Sequence, residues 1–519
     1  MICSRLSEVL PHLISQNQGA FVRGRSLAHN ILIFQDMIKN YNRKNSSPRC
    51  ALKIDLSKAY DTVDWCSTTR VSIHPLCKGL KIINLCFVDD LVIFCKANSG
   101  SVHVVKQVFE EFCNNTGLRA NSSKSQVFFG GVSVAVKNQL LKIVQLDEGT
   151  FPLKFLGVPM RPTKWKMADF DDILKKIKLR LHTWASRHLS YAGQIQLITS
   201  VLLGLPNYWM NIFLLPQSIV KEVDKLCLWF LWGNNGTRSN FHLTSWSTVC
   251  LPEWFGGLGF GEGSKWNKAM LAKYVWAINN QPETLWVKWI NSVYLKGQSF
   301  WQYKLKIDTS WYWRKICMLR DVFPQKVIDA AVRQGRFKVG VLYLNCIQKD
   351  PISYHKFVWN RTSVPKHRFI TWQAVNGRLL TRDHLNRVLV QLDSLLCPVC
   401  EIDTENHEHL FFRCNFSQRV VRQVHSWLGC TWPLNFSAWS QWIENRRRDV
   451  IAMIVAAFFS ATVYYILYNR NSCYVNHFSY SVNCIVDRIK KDISYRCNYF
   501  TQRKLTGKEM VFVKKLSSV

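Results

Sequence analysis

The chain has 519 residues, 48% of them hydrophobic and 20% charged, a globular balance that excludes a disordered chain and leaves room for about two to four domains. Its 68 Lys and Arg against 34 Asp and Glu give a net charge of +34. That excess calls for a polyanionic partner, nucleic acid first, with a solvated basic face, a ribosome or a membrane surface as alternatives.

Residues 27–41 place Leu27, Ile31, Phe34 and Ile38 at helical spacing and predict a helix. A turn follows at 45–48, then a short alternating strand at 50–56 (CALKIDL). Residues 80–95 (LKIINLCFVDDLVIFC) read as two apolar strands with a bend at 88–90, a hairpin. Residues 101–116 predict a helix with Val104, Val105, Val108 and Phe112 on one face and Gly117 at its C-cap. From 169 to 303 the pattern is helical and rich in Lys and Trp, with Gly-rich breaks at 233–238 and 256–263. The 18 Cys are scattered and the first ten residues lack a basic stretch followed by an apolar run. Reduced cysteines in a nuclear or cytoplasmic chain are therefore expected, not a secreted disulfide framework. Residues 451–468 (IAMIVAAFFSATVYYILY) carry no charge and reach the lower edge of a membrane span. Ser460, Thr462 and the following Asn469, Arg470 and Asn471 favour a buried helix of a large domain instead.

Two places set acids where apolar strands do not want them: Asp55 in LKIDL, and Asp89 with Asp90 in the hairpin bend. A buried carboxylate needs a partner. Two hard divalent cations would serve, as in phosphoryl transfer; an Asp-rich turn serves as well. A third cluster is Cys397, Cys400, His409 and Cys414, spaced C-x2-C-x8-H-x4-C. Two thiolates two residues apart form a knuckle, and a His and a further Cys complete a tetrahedron suited to Zn2+. His407 competes with His409 for the third position. Lys366, His367, Arg368, Arg378, Arg382 and Arg387 form a basic stripe just upstream, suited to phosphates or simply to solvent.

These segments resemble the reverse transcriptases of plant-type non-LTR retrotransposons. ALKIDLSKAYDTVDW (51–65) resembles the first palm motif of that family, and NLCFVDDLVIF (84–94) the third, with Val88 where Ala is usual. QGAFVRGR (18–25) resembles the fingers motif, GLRANSSKS (117–125) the motif that follows the palm, KFLGVP (154–159) the strand before the thumb, and LSYAGQIQL (189–197) the thumb helices. Residues 357–388 and CPVCEIDTENHEHLFFRC (397–414) resemble the zinc-binding domain downstream of such enzymes, which favours His409 over His407.

The resemblance implies an α+β chain: a truncated right-hand polymerase palm at 1–160, a helical thumb and connection at 161–340, a zinc-binding domain at 350–440 and a helical tail at 441–519. It implies RNA-directed DNA polymerisation with two Mg2+ held by Asp55 and Asp89, assisted by Asp90. Tyr60 would lie near the sugar of the incoming nucleotide, Lys124 on its pyrophosphate side, and Arg23 and Arg25 on template or triphosphate. Partners would be an RNA template, the element's own RNA among them, a DNA primer and dNTPs as the sole small molecules, with no membrane. One departure bears on activity. The family carries a helix pair and a Gln-Gly-Pro-Leu-Ser-type motif between the first and third palm motifs. Here Asp55 and Asp89 stand 34 positions apart, which leaves no room for that wall. Positioning supplies much of the rate in phosphoryl transfer, so the expected product is a defective polymerase or a non-catalytic nucleic-acid-binding zinc protein.

Overall fold

A computed structural model describes residues 9, 14–19, 22, 24–43, 46–57, 80, 82–87, 90–185, 189–233, 244–352, 354–387, 391–446, 449–497 and 505–517. The chain is α+β, with helix far outweighing strand. It forms two compact units, each gathered from three stretches: 1–176, 205–221 and 263–347 in the first, 177–204, 222–262 and 348–519 in the second.

The first unit is built on a mixed sheet. Strand β1 (Arg49–Ser57) lies at its centre, paired antiparallel with β3 (Asp90–Lys96) on one side and β5 (Gln126–Gly130) on the other. Strand β2 (Asn84–Phe87) extends the sheet beyond β3, β4 (Arg119–Ala120) pairs with the end of β1, and β6 (Asp147–Glu148) runs parallel to β5. Helix α1 (Leu27–Met37) precedes β1, and α2 (Ser99–Thr116) and α3 (Val134–Val144) follow β3 and β5. Alternate residues of β1 explain why the sheet holds. Cys50, Leu52, Ile54 and Leu56 join Leu91, Ile93, Val127 and Phe129 in a core closed by Val102, Val105 and Phe112 of α2 and Leu140 of α3. Across the sheet, Phe34 of α1 meets Phe94 of β3 with ring centroids 5.5 Å apart. Apolar cover on both faces turns an alternating strand into a nearly continuous apolar one.

Two sequence expectations shift at their edges. Helix α1 stops at Met37, short of residue 41, because Asn40 takes a left-handed φ of 65° that breaks the helical path. Helix α2 keeps its expected C-terminal end, where Gly117 supplies a φ of 72°, but starts at Ser99 rather than 101, because the Asn98 side chain caps it by accepting from Ser101 N at 2.8 Å. One feature of α1 had no sequence signal. Asp36 is fully buried and accepts from Trp289 Nε1 (2.8 Å), Tyr294 OH (2.6 Å) and Tyr312 OH (2.7 Å). Burial pushes its pKa up, and the three donors oppose that shift. They come from helix α5 (Leu285–Ile290), the turn after it and helix α6 (Trp311–Cys317), which pack with α4 (Gly263–Asn280).

The second unit is helical. Its spine is α10 (Val450–Asn476), packed against α7 (Pro365–Val375), α9 (Asn415–Leu428), α11 (Val482–Cys497) and α12 (Gly507–Ser517). The apolar run expected at 451–468 forms the body of α10, whose most apolar window is long enough to cross a membrane by composition alone and is 72% buried within the protein. The short helix α8 (Arg382–Arg387) leads from α7 toward the Cys/His segment.

Candidate functional site

The two candidate centres lie one in each unit. In the first, the register of the sheet sets Asp55 of β1 directly opposite Asp90 of β3, so both carboxylates leave the sheet on the same face. Both are half-buried. Lys53 shares that face, with Nζ 3.7 Å from Asp90 Oδ1. Cross-strand partners stand about 4.5–5.5 Å apart at Cα, close enough for two carboxylates to share hard cations, although a lysine already competes for one of them.

The other residues of this centre are distributed unevenly. Lys124 is exposed on a turn tied to β1: Asn121 N donates to Asp55 O at 2.8 Å, and Asp55 N donates to Ser125 Oγ at 3.1 Å. Arg25 donates to the carbonyls of Ile14 (2.5 Å), Ser15 and Gln18 (2.7 Å), and burial lowers its pKa. Its guanidinium thus binds the loop that precedes α1. Asp89, Tyr60 and Arg23 lie outside the described residues.

In the second unit, Cys397, Cys400, His409 and Cys414 converge, with one ligand atom from each lying within 4.8 Å of all the others. Cys400 Sγ is 3.2 Å from His409 Nε2. A knuckle holds the first two: Glu401 N donates to Cys397 O at 2.8 Å, Cys397 N donates to Asp403 O at 2.7 Å, and Glu401 takes a left-handed φ of 57°. Cys414 precedes α9, and His409 sits in a one-turn π-helix at 409–413. The Cys414 thiol is drawn below its ordinary pKa by a hydrogen bond from Cys397, reinforced by N–H groups of Ser417 and Phe416; the same bond pushes Cys397 up. The thiol–thiol hydrogen bond shows how closely the two sulfurs approach, and both would have to give up their protons to a metal.

Surrounding groups orient the cluster. Asp403 Oδ2 lies 3.6 Å from His409 Nδ1, which leaves Nε2 pointing inward as a ligand. His407, the competing histidine, is engaged elsewhere, since its Nε2 accepts from Leu379 N at 3.2 Å. Glu405 is fully buried and accepts from Arg470 Nε and Nη2 at 2.6 Å each and from Arg382 N at 2.8 Å. That bidentate pair joins the Cys/His loop to α10 across 65 positions of sequence, which is why no local pattern revealed it. Three thiols and one imidazole at these separations fit Zn2+ in both number and softness.

The basic stripe is only partly a surface. His367 is fully buried, so it turns inward and leaves the stripe. Arg368 is half-buried and donates to Ser363 O at 2.9 Å, and Arg387 pairs with Asp383 at 2.7 Å. Phe369 and Trp372 are core residues, Trp372 Nε1 donating to Gly256 O at 2.9 Å.

Comparisons with known proteins point the same way. Residues 337–420 match the family described as zinc-binding in reverse transcriptase. The chain is 35% identical over 156 residues to an Arabidopsis thaliana protein named "Putative ribonuclease H protein", covering 30% of this chain and 25% of that relative. It is 28% identical over 127 residues to an uncharacterised mitochondrial protein of Arabidopsis thaliana, 24% of this chain and 82% of the relative. The chain therefore spans a quarter of the first relative and most of the second.

Proposed function

We propose that this chain, which carries a reverse-transcriptase zinc-binding domain at 337–420, derives from a plant non-LTR retrotransposon reverse transcriptase whose polymerase step is lost. What remains is a zinc-organised protein that binds nucleic acid. The observation that carries this reading is the convergence of Cys397, Cys400, His409 and Cys414 inside the matched domain. In the same reading, 1–160 is the fingers and palm remnant, 161–340 the thumb and connection, 350–440 the zinc-binding domain and 441–519 its helical tail.

Asp55 and Asp90 face each other on neighbouring strands, the placement that palm carboxylates require. With Asp89 they would hold a Mg2+ pair, which would supply charge neutralisation at the reacting phosphate. Tyr60 and Lys124 would set the sugar and pyrophosphate of a dNTP, and Arg23 and Arg25 would meet template or triphosphate. The wall that grips template and nascent pair has no counterpart in the 33 residues between Asp55 and Asp89. Well-oriented reactants gain effective molarities of about 10⁵–10⁸ M. Loss of the gripping wall forfeits that gain even where the carboxylates persist. An RNA template with a DNA primer, the element's own RNA included, is the partner this ancestry supplies.

The zinc and binding claims are tested together. Purified protein should carry one Zn2+ per chain by plasma mass spectrometry, and Cys400→Ser and Cys414→Ser should each lose it. A labelled RNA should bind at low salt and dissociate as salt rises, because phosphate contacts release counterions. Metal-free protein that is fully folded, or protein indifferent to RNA at low salt, would sink the reading.

A further inference from the structure

The second unit presents a row of rings and cations that the zinc cluster does not use. Tyr464 and Tyr468 of α10 lie one helical turn apart on one face, with ring centroids 6.5 Å apart and planes 23° apart. Tyr468 meets Tyr480 at 5.5 Å, and Tyr480 meets Phe478 at 4.9 Å. Cations stand over the rings: Lys366 Nζ lies 4.7 Å from the Tyr464 centroid, and Arg488 Cζ lies 4.5 Å from that of Tyr480 and 5.4 Å from that of Tyr468. Tyr468 is 37% exposed and Phe478 54%.

The row is held in place. Asn469 is fully buried, and its Oδ1 accepts from Tyr480 N at 2.7 Å. That bond fixes the turn after α10, where His477 takes a left-handed φ of 51°. A platform of this kind needs little ordering when a ligand arrives. The charge around it is positive. Arg488 lies beside Tyr468, Tyr480 and Cys484. Arg368, Arg361 and Arg496 crowd one another near Lys366. Asp492 is engaged away from the row, its Oδ2 accepting from Tyr465 OH at 2.8 Å and lying 3.5 Å from His367 Nε2.

We propose that Tyr464, Tyr468, Phe478 and Tyr480, flanked by Lys366 and Arg488, form a stacking platform for single-stranded nucleic acid. Rings offer a π-face that every unpaired base can use, and the interleaved cations meet the phosphates between bases. A duplex hides its base faces and gains only the cations, so the platform discriminates single strands from duplexes. The inference deepens the nucleic-acid-binding reading and rests on it.

The test measures fluorescence anisotropy of a labelled oligouridylate and of a duplex of the same length on the full chain. Each lost base stack is worth a factor of about 5 to 150. Tyr468→Ala/Tyr480→Ala should therefore bind the single strand at least about 10-fold more weakly and hold duplex affinity within about 2-fold. Arg488→Gln should instead flatten the salt dependence by close to one phosphate contact. A folded double variant that binds oligouridylate as the parent does overturns the platform while leaving the general reading intact. A parent protein that binds neither probe overturns both. Photocrosslinking of bromouridine-substituted RNA to the unmodified protein guards against misfolding of the variants. Crosslinks should map to peptides containing Tyr464, Tyr468 or Tyr480, and crosslinks confined to other peptides overturn the proposal.

Discussion

The sheet end at Asp55 and Asp90 and the cluster at Cys397–Cys414 are both candidate metal centres, and they differ in how much chain each requires. The thiol cluster is assembled from 18 consecutive residues plus one long-range clasp, Glu405 with Arg470. Its ligands, its orienting Asp403 and its knuckle all lie in that one segment. The carboxylate centre needs strands that pair across the sheet and, for polymerisation, a wall from elsewhere in the chain. Its strands persist because apolar side chains cover both faces of the sheet, and that cover is indifferent to catalysis. A centre whose ligands all fall in one short segment depends on less of the chain than one whose groups must be brought together from several strands.

The comparison can be broken most forcefully at the cluster. Chelation, or Cys414→Ser, should remove Zn2+ and the cooperative melting of the second unit, since structural zinc contributes on the order of 10 kcal/mol to small zinc domains. Calorimetry with and without chelator reads the effect, and an unchanged second transition would contradict it. Glu405→Ala should cost about 3–5 kcal/mol by leaving the Arg470 guanidinium buried and unpaired; a denaturant titration measures it. In the first unit, Asp36→Ala should cost about 3 kcal/mol or more, because three buried donors lose their acceptor.

The pH response adds a finer distinction. His367, in the second unit, is held by burial to a pKa of about 3, and His29, in the first, to about 4. Both folded values lie below the ordinary histidine value of about 6.5, so folding favours the neutral ring. The stability each contributes is present above about pH 6.5 and is lost as pH falls toward the folded value. Each unit should weaken between about pH 6.5 and 4, and His29→Phe should flatten only the response of the first. A melting series over that range checks it. The smallest effect belongs to the carboxylate end: Lys53→Met should change stability by less than about 1 kcal/mol, since the Lys53–Asp90 pair is partly exposed and long at 3.7 Å.

What the sequence made legible follows the same division. The strand at 50–56, the antiparallel strands at 84–87 and 90–96 and the helix ending before Gly117 were readable because apolar spacing and a C-cap glycine act within a few residues. The thiol spacing was readable for the same reason, but spacing left His407 and His409 equivalent; the backbone N–H of Leu379 separates them by occupying His407. The buried Asp36 and the Glu405–Arg470 clasp were not legible, since their partners lie far along the chain and leave no period in it. His367 was misplaced on a basic surface because its charged neighbours in sequence masked its inward turn. The ring platform was also missed: Tyr464 and Tyr468 read as part of an apolar run, and Tyr480 reaches them only through the turn after α10.

The most direct test of the central claim is template-dependent primer extension. Purified full chain is given Mg2+, an RNA template, an annealed DNA primer and dNTPs, beside Asp89→Asn and Asp55→Asn variants, with retention of the labelled RNA measured on the same samples. The account predicts background extension for all three proteins and undiminished RNA retention. Extension by the parent that either substitution abolishes would show a working palm and contradict it.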